Sequence, residues 1–172
     1  MKAMPSFYVF LLLPALFCGC EEGGAGPATP SGLAGPGSVL PEIQAEGWLN
    51  SGPVTRSSLE GRVAVIDVWA FWCGPCAAVT PELVATHAKY APRGVVFVGL
   101  TSDGGAKLEN IRAFVERFNI PWATAYGAGP TIAALGVHSI PVAFVVGRNG
   151  QITWNSRLGG SLDAAIEAEL AR

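Results

Sequence analysis

Apolar and polar positions along the chain fall into blocks of two different periods. Val63-Ala64-Val65-Ile66-Asp67-Val68-Trp69 is an almost unbroken apolar run, the pattern of a strand buried on both faces. Residues 94–100 (Gly-Val-Val-Phe-Val-Gly-Leu) repeat it. Between them, residues 75–90 predict a helix with Val79, Leu83, Val84 and Ala88 on one side and a kink at Pro81, which removes an internal hydrogen bond. Leu108, Ile111, Phe114, Val115 and Phe118 recur at helical spacing and predict an amphipathic helix over 107–118.

Shorter signals complete the order. Residues 43–49 predict an N-terminal strand or hairpin arm, and Ser57–Gly61 a helical turn closed by glycine. Thr101-Ser102-Asp103-Gly104 carries helix-capping chemistry, followed by a short strand near 122–124 and a short helix over 131–135. Residues 142–146 and 151–154 flank Gly147-Arg148-Asn149-Gly150, whose Asn-Gly predicts a hairpin. A last helix over 161–171 has Ser161 as its cap. Alternating strands and helices that end in a hairpin predict an α/β fold, a three-layer sandwich with a central mixed sheet and helices on both faces.

The first 39 residues have a different character. Lys2 precedes an apolar run from Phe7 to Phe17, short of the roughly 20 residues a spanning helix needs and of the length of a signal-peptide core. Leu16-Phe17-Cys18-Gly19-Cys20 resembles a bacterial lipobox, which implies a lipid on Cys20 and a leader over 1–20; an ordinary signal cleavage near Ala25 is the alternative. Residues 21–39, rich in Gly and Pro, read as a flexible spacer, with the folded head spanning 40–172. The expected location is therefore the bacterial cell envelope, lipid-anchored and facing the periplasm.

Of 172 residues half are hydrophobic, and the 11 Lys and Arg are scattered against 13 Asp and Glu, which leaves no basic patch for nucleic acid. The sequence contains no GxxxxGK[ST], HExxH or GxGxxG, so nucleotide hydrolysis, zinc proteolysis and dinucleotide binding have no local support, and no cofactor is expected. The four cysteines form two pairs, Cys18/Cys20 in the leader and Cys73/Cys76 in the head.

Cys73-Gly74-Pro75-Cys76 sits where a buried strand gives way to a helix. A helix start offers unpaired N–H groups that favour a thiolate, and a two-residue gap lets the second sulfur resolve a mixed disulfide on the first. Cys73 is the expected attacking thiolate and Cys76 the buried resolving thiol. A zinc site would need two further ligands, and the head adds no cysteine and only His87 and His138. Asp67, the one charged residue of its strand, is a candidate proton acceptor for Cys76, since burial raises a carboxylate's pKa. The other reading places that carboxylate at a strand edge in solvent.

Residues 65–76, Val-Ile-Asp-Val-Trp-Ala-Phe-Trp-Cys-Gly-Pro-Cys, with Pro81 following and Gly136-Val137-His138-Ser139-Ile140-Pro141 before a hairpin, resemble the thioredoxin family. With the leader, the spacer and the segment 102–122, they are similar to its TlpA/ResA-like branch of exported, membrane-tethered members, over about residues 40–172. The resemblance implies a cis bond before Pro141. It also implies a substrate chain laid against Ile140 and Pro141, a groove rim at Trp72, and Gly74 and Pro75 as part of the substrate-facing loop. Asp67 matches the family's proton acceptor.

The implied activity is thiol–disulfide exchange on protein substrates, with Gly-Pro between the cysteines pointing to reduction, and a membrane thiol-relay protein supplies electrons. Two departures weigh against a role in cytochrome c maturation: Val79 where some relatives have glutamate, and Val142 where others have an acid. The competing readings are a copper-handling module using Cys73, Cys76 and His138, and a thiol peroxidase of the same superfamily. Trp69 reads as core, Glu82 as a solvated helix face, His138 as a loop residue and His87 as helix surface.

Overall fold

A computed structural model describes Met1 and residues 32–172. Cys20, the leader beyond Met1 and most of the spacer lie outside the described residues. The described chain forms six strands and five α-helices: β1 (Gly47–Leu49), α1 (Arg56–Leu59), β2 (Ala64–Val68), α2 (Gly74–Tyr90), β3 (Val96–Leu100), α3 (Leu108–Arg117), β4 (Ala123–Tyr126), α4 (Gly129–Ala134), β5 (Val142–Val146), β6 (Ile152–Asn155) and α5 (Leu162–Leu170). The strands make one sheet in the order β1-β4-β3-β2-β5-β6. β2 and β3 pair in parallel, as do β3 and β4, while β5 is antiparallel to both β2 and β6. The expected mixed sheet is present.

Alternation along the strands assigns two separate cores. Val65, Phe97 and Val145 pack with Trp69, Leu83, Tyr90, Ile111, Phe114 and Ile166, under α2, α3 and α5. Ala64, Ile66, Val68, Val98, Phe144 and Val146 turn the other way and pack with Leu59 and Leu135. Asp67 apart, the central strands carry no polar side chain because both faces are covered.

The elements fall where the pattern placed them, with informative exceptions. The buried stripe of α2 is Cys76, Thr80, Leu83, Thr86 and Tyr90, whereas Val79 and Ala88 are exposed. Reading Thr80 and Thr86 as polar rotated the expected face; Thr80 Oγ1 donates to the Cys76 carbonyl at 2.8 Å, so its hydroxyl is satisfied within the helix and its methyl can pack. Asp103 caps no α-helix: α3 starts at Leu108 with no side-chain cap. His87 is half-buried, with its ring 5.0 Å from Phe97 and 5.4 Å from Trp122 rather than on open surface.

The spacer ends earlier than its composition suggests. Ala34 is buried, its N–H donates to the Leu135 carbonyl at 2.9 Å and its carbonyl accepts from Asn155 Nδ2 at 2.8 Å. Gly37 N–H donates to the Ile152 carbonyl, also at 2.9 Å. Small residues with no long side chain can lie flat against a sheet, and backbone hydrogen bonds hold them there.

Gly136 sits at this junction with φ of 66°. A Cβ there would run into the Gly32 carbonyl. Gly136→Ala is expected to lower stability by about 2 kcal/mol or more, through left-handed strain added to a backbone clash. A urea unfolding curve compared with wild type checks this.

Candidate active site

β2 ends at Val68, and a tight turn delivers Cys73 to the N-cap of α2. Cys73 Sγ accepts the Cys76 N–H at 3.1 Å, and the Cys73 carbonyl accepts from Ala77 at 3.1 Å. The sulfur therefore lies where the helix's unpaired donors converge, which stabilises negative charge on it. The Cys73 and Cys76 sulfurs are joined in a disulfide, with Cα atoms 5.2 Å apart. In this bonded form Cys73 is 5 % exposed and Cys76 1 %, so the expected difference in depth is small. Gly74 and Pro75 are exposed at the helix start.

A groove of about 180 Å³ is lined by Trp69, by Trp72 next to Cys73 in the chain, and by Ile132, Val137 and the His138–Ile140 loop. The Ile140–Pro141 bond is cis, as the resemblance implied. Trp72 is 63 % exposed, yet its Nε1 donates to Asp103 Oδ1 at 3.3 Å. Asp103 is itself fixed: Thr101 Oγ1 donates to Oδ2 at 3.1 Å, and Gly127 N–H donates to its carbonyl at 2.7 Å. Asp103 thus holds the indole over the groove, a role its sequence context disguised as capping. Trp69 is core, stacked on Phe114 at 4.4 Å.

Asp67 is 7 % exposed, one residue before the end of β2, on the face covered by α2. Its sheet neighbours are Gly99 and Ala143, which leave room around the carboxylate. On the Gly99 side the room is bounded: a Cβ at 99 would press on Trp69 Nε1 at 3.0 Å and Trp122 Nε1 at 3.2 Å. On the Ala143 side a cleft of about 210 Å³ opens, lined also by Val79, Glu82, Leu83, Pro141 and Trp154. Glu82 is exposed, as expected, but stands on the rim of that cleft. Burial pushes the Asp67 carboxyl up to about 7, from an ordinary 3.8. The strand-edge alternative is excluded, because β2 is paired on both sides.

Among the described residues, no three His, Cys, Asp or Glu side chains gather as a metal-holding group. His138 stands in the wall of the groove.

Residues 36–168 match the Redoxin family model. The chain belongs to the Redoxin family. Within it, the chain is similar to the thiol-disulfide oxidoreductase ResA of Oceanobacillus iheyensis, 26 % identical over 122 residues that cover 70 % of this chain and 62 % of that protein. It is also similar to the protein FixW of Rhizobium leguminosarum, 28 % identical over 131 residues, covering 69 % of this chain and 58 % of the relative. The chain spans less than two thirds of either relative's length.

Among solved structures, a thiol:disulfide interchange protein of the thioredoxin family from Chlorobium tepidum superposes with a TM-score of 0.64 at 22 % identity, covering 77 % of this chain and 97 % of that one. A thiol-disulfide isomerase from Corynebacterium glutamicum gives 0.67 at 18 % identity, covering 79 % and 98 %. These likenesses show the thioredoxin-like fold; the family match and the similarity to ResA make this a TlpA/ResA-like member of the thioredoxin superfamily.

The raised Asp67 pKa fixes the sign of a pH effect. Between pH 3.8 and about 7 the folded protein keeps this proton and the unfolded chain loses it, so Asp67 costs stability as pH rises through that window and no more above it. Asp67→Asn removes the dependence. Its stability relative to wild type is expected to rise from pH 4 to pH 8 by up to about 4 kcal/mol, from roughly 1.4 kcal/mol per pKa unit. Denaturant unfolding of both proteins at pH 4, 6 and 8 checks it; a gap constant with pH is the contrary result.

Proposed function

We propose that this chain is a thiol–disulfide oxidoreductase working outside the cytoplasm, reducing protein disulfides through Cys73 and Cys76. The observation that carries the reading is the bonded cysteine pair at the start of α2, preceded by Trp72, which lines a groove reaching Ile140 before the cis bond. Similarity to ResA supports it.

The working form is the dithiol. Cys73 thiolate attacks one sulfur of a substrate disulfide, forming a mixed disulfide and releasing the other substrate sulfur as a thiolate. Cys76 then loses its proton to Asp67 and attacks the Cys73 sulfur. The Cys73–Cys76 bond forms, the bond to the substrate breaks, and the second substrate sulfur leaves as a thiolate. Two electrons have passed to the substrate, and an external dithiol must return two to the pair. A carboxyl with a pKa near 7 suits Asp67 to this task, because at neutral pH it both accepts and returns a proton. The cleft from Asp67 to the rim at Glu82 gives the proton a route to water.

Trp72, Gly74 and Pro75 border the approach to Cys73, while Ile140 and Pro141 offer the docking edge, where an extended substrate segment pairs with backbone groups. The composition of residues 1–39 supports export, a lipid on Cys20 and a membrane thiol-relay protein as the electron source. The Gly-Pro pair supports the reducing direction.

Cys76→Ser is expected to stall the reaction with substrate bound to Cys73, visible as a mixed disulfide that reductant dissolves, and Cys73→Ser to abolish thiol release from a peptide disulfide. Asp67→Asn is expected to slow resolution about 100-fold at pH 7, within the usual range for a lost general base. Stopped-flow Trp fluorescence and thiol titration read both steps. A Cys73→Ser protein that keeps the wild-type rate would overturn the reading.

A further inference from the structure

Arg157 follows β6 and reaches back to the docking loop. Its Nη2 donates to the Ser139 carbonyl at 3.3 Å, to Ser139 Oγ at 3.0 Å and to the Pro141 carbonyl at 3.3 Å. All three contacts use one nitrogen of a group with five N–H donors. Nη1 and Nε have no partner among the described residues, and neither does the charge. Arg56, Lys89, Arg93, Arg112 and Arg172 pair with carboxylates; among the described residues Arg157 shares the lack of one with Arg62, Lys107, Arg117 and Arg148, and is set apart by its bonds to the loop before Pro141.

The backbone below is equally fixed. Arg157 N–H donates to Asn155 Oδ1 at 3.0 Å, and buried Asn155 is tied through Nδ2 to Ala34. The guanidinium is a positioned cation that nothing in the described chain neutralises. It lines a hollow of about 200 Å³ with Leu33, Gly136, His138, Ser139 and Val142. His138 and Ser139 also line the groove beside Trp72, so hollow and groove share a wall.

We propose that this hollow is a subsite for a carboxylate side chain, an aspartate or glutamate of the substrate close in sequence to the cysteine that reacts with Cys73. The inference rests on the exchange reading above. Nη1 and Nε point to opposite sides of the guanidinium, so a carboxylate accepts from one of them, Nη1 offering two free N–H groups, as a single charge-assisted hydrogen bond. Because Nη2 is already held by Ser139 and Pro141, little side-chain freedom remains to be lost on binding. The guanidinium is exposed at the rim of the hollow, so its attraction for a carboxylate is open to screening by salt. Arg157 therefore fixes the docking loop from outside and selects the charge of what docks.

The test uses reduced wild-type protein and three short peptide disulfides that differ only in having Asp, Asn or Lys beside one cysteine, with 2-hydroxyethyl disulfide as a small neutral control. KM for the Asp peptide is expected to be about 5–10-fold below that for Asn, with Lys weakest, and kcat nearly the same for all three. The Asp/Asn ratio is expected to shrink toward one at about 0.5 M salt, where exposed charges are screened. It is also expected to vanish in Arg157→Gln and to survive in part in Arg157→Lys. Equal KM for the three peptides, or a preference that persists in Arg157→Gln, overturns the subsite. Should the glutamine variant fail to fold, the wild-type peptide and salt series decides alone. If neither the peptides nor 2-hydroxyethyl disulfide oxidises the wild-type dithiol, the exchange reading itself falls, and the subsite with it.

Discussion

Antiparallel pairing of β2 with β5 is the constraint on which the rest of the site depends. It sets Val68 opposite Val142 and Asp67 opposite Ala143. Pro141 and the loop before it therefore arrive beside the turn that carries Cys73, although some seventy residues of chain separate them. Closing so long a loop costs entropy, which burial of Ile66, Val68, Phe144 and Val145 offsets. A slip of one residue would turn Asp67 away from α2 and carry Pro141 out of line with the helix start. The register that builds the core also builds the site.

The same pairing explains why a carboxylate is tolerated at the centre of the sheet. Between Gly99 and Ala143 the carboxylate has space on one side and a cleft that water can enter on the other. Burial without an ionic partner keeps it protonated up to neutrality, and the cleft keeps it in exchange with solvent. Stability is given up here to keep an acid that titrates near neutrality in the cleft, as buried titratable groups at functional sites commonly do.

Around the cysteine turn, the parts proposed to dock a substrate are held by residues far from them in sequence. Asp103 holds Trp72 across 31 positions, and Arg157 holds Ser139 and Pro141 from the far end of the hairpin. The N-terminal segment joins in through Ala34, bonded to both Leu135 and Asn155. Arg157 thus bonds the loop before Pro141 directly, Ala34 bonds its flanks, and the most exposed aromatic of the site is fixed by a hydrogen bond instead of by packing.

Local pattern alone was enough for the buried strands, the amphipathic α3, the Asn-Gly hairpin and the cap of α5 by Ser161, because each depends on neighbours within a few residues. The Cys-Gly-Pro-Cys turn at a strand-to-helix junction was legible for the same reason. Only the tertiary structure decided the rest. The buried face of α2 depended on whether Thr80 could satisfy its hydroxyl within the helix, and the packed start of the head on carbonyls of Leu135 and Ile152 to which Ala34 and Gly37 could donate. The placement of Asp103 and Arg157 depended on partners 31 and about 18 residues away, which no periodicity records. Asp67 shows the division within one side chain: its sequence marks it as an unusual charge, and only the strands on either side make it a buried acid that titrates near pH 7.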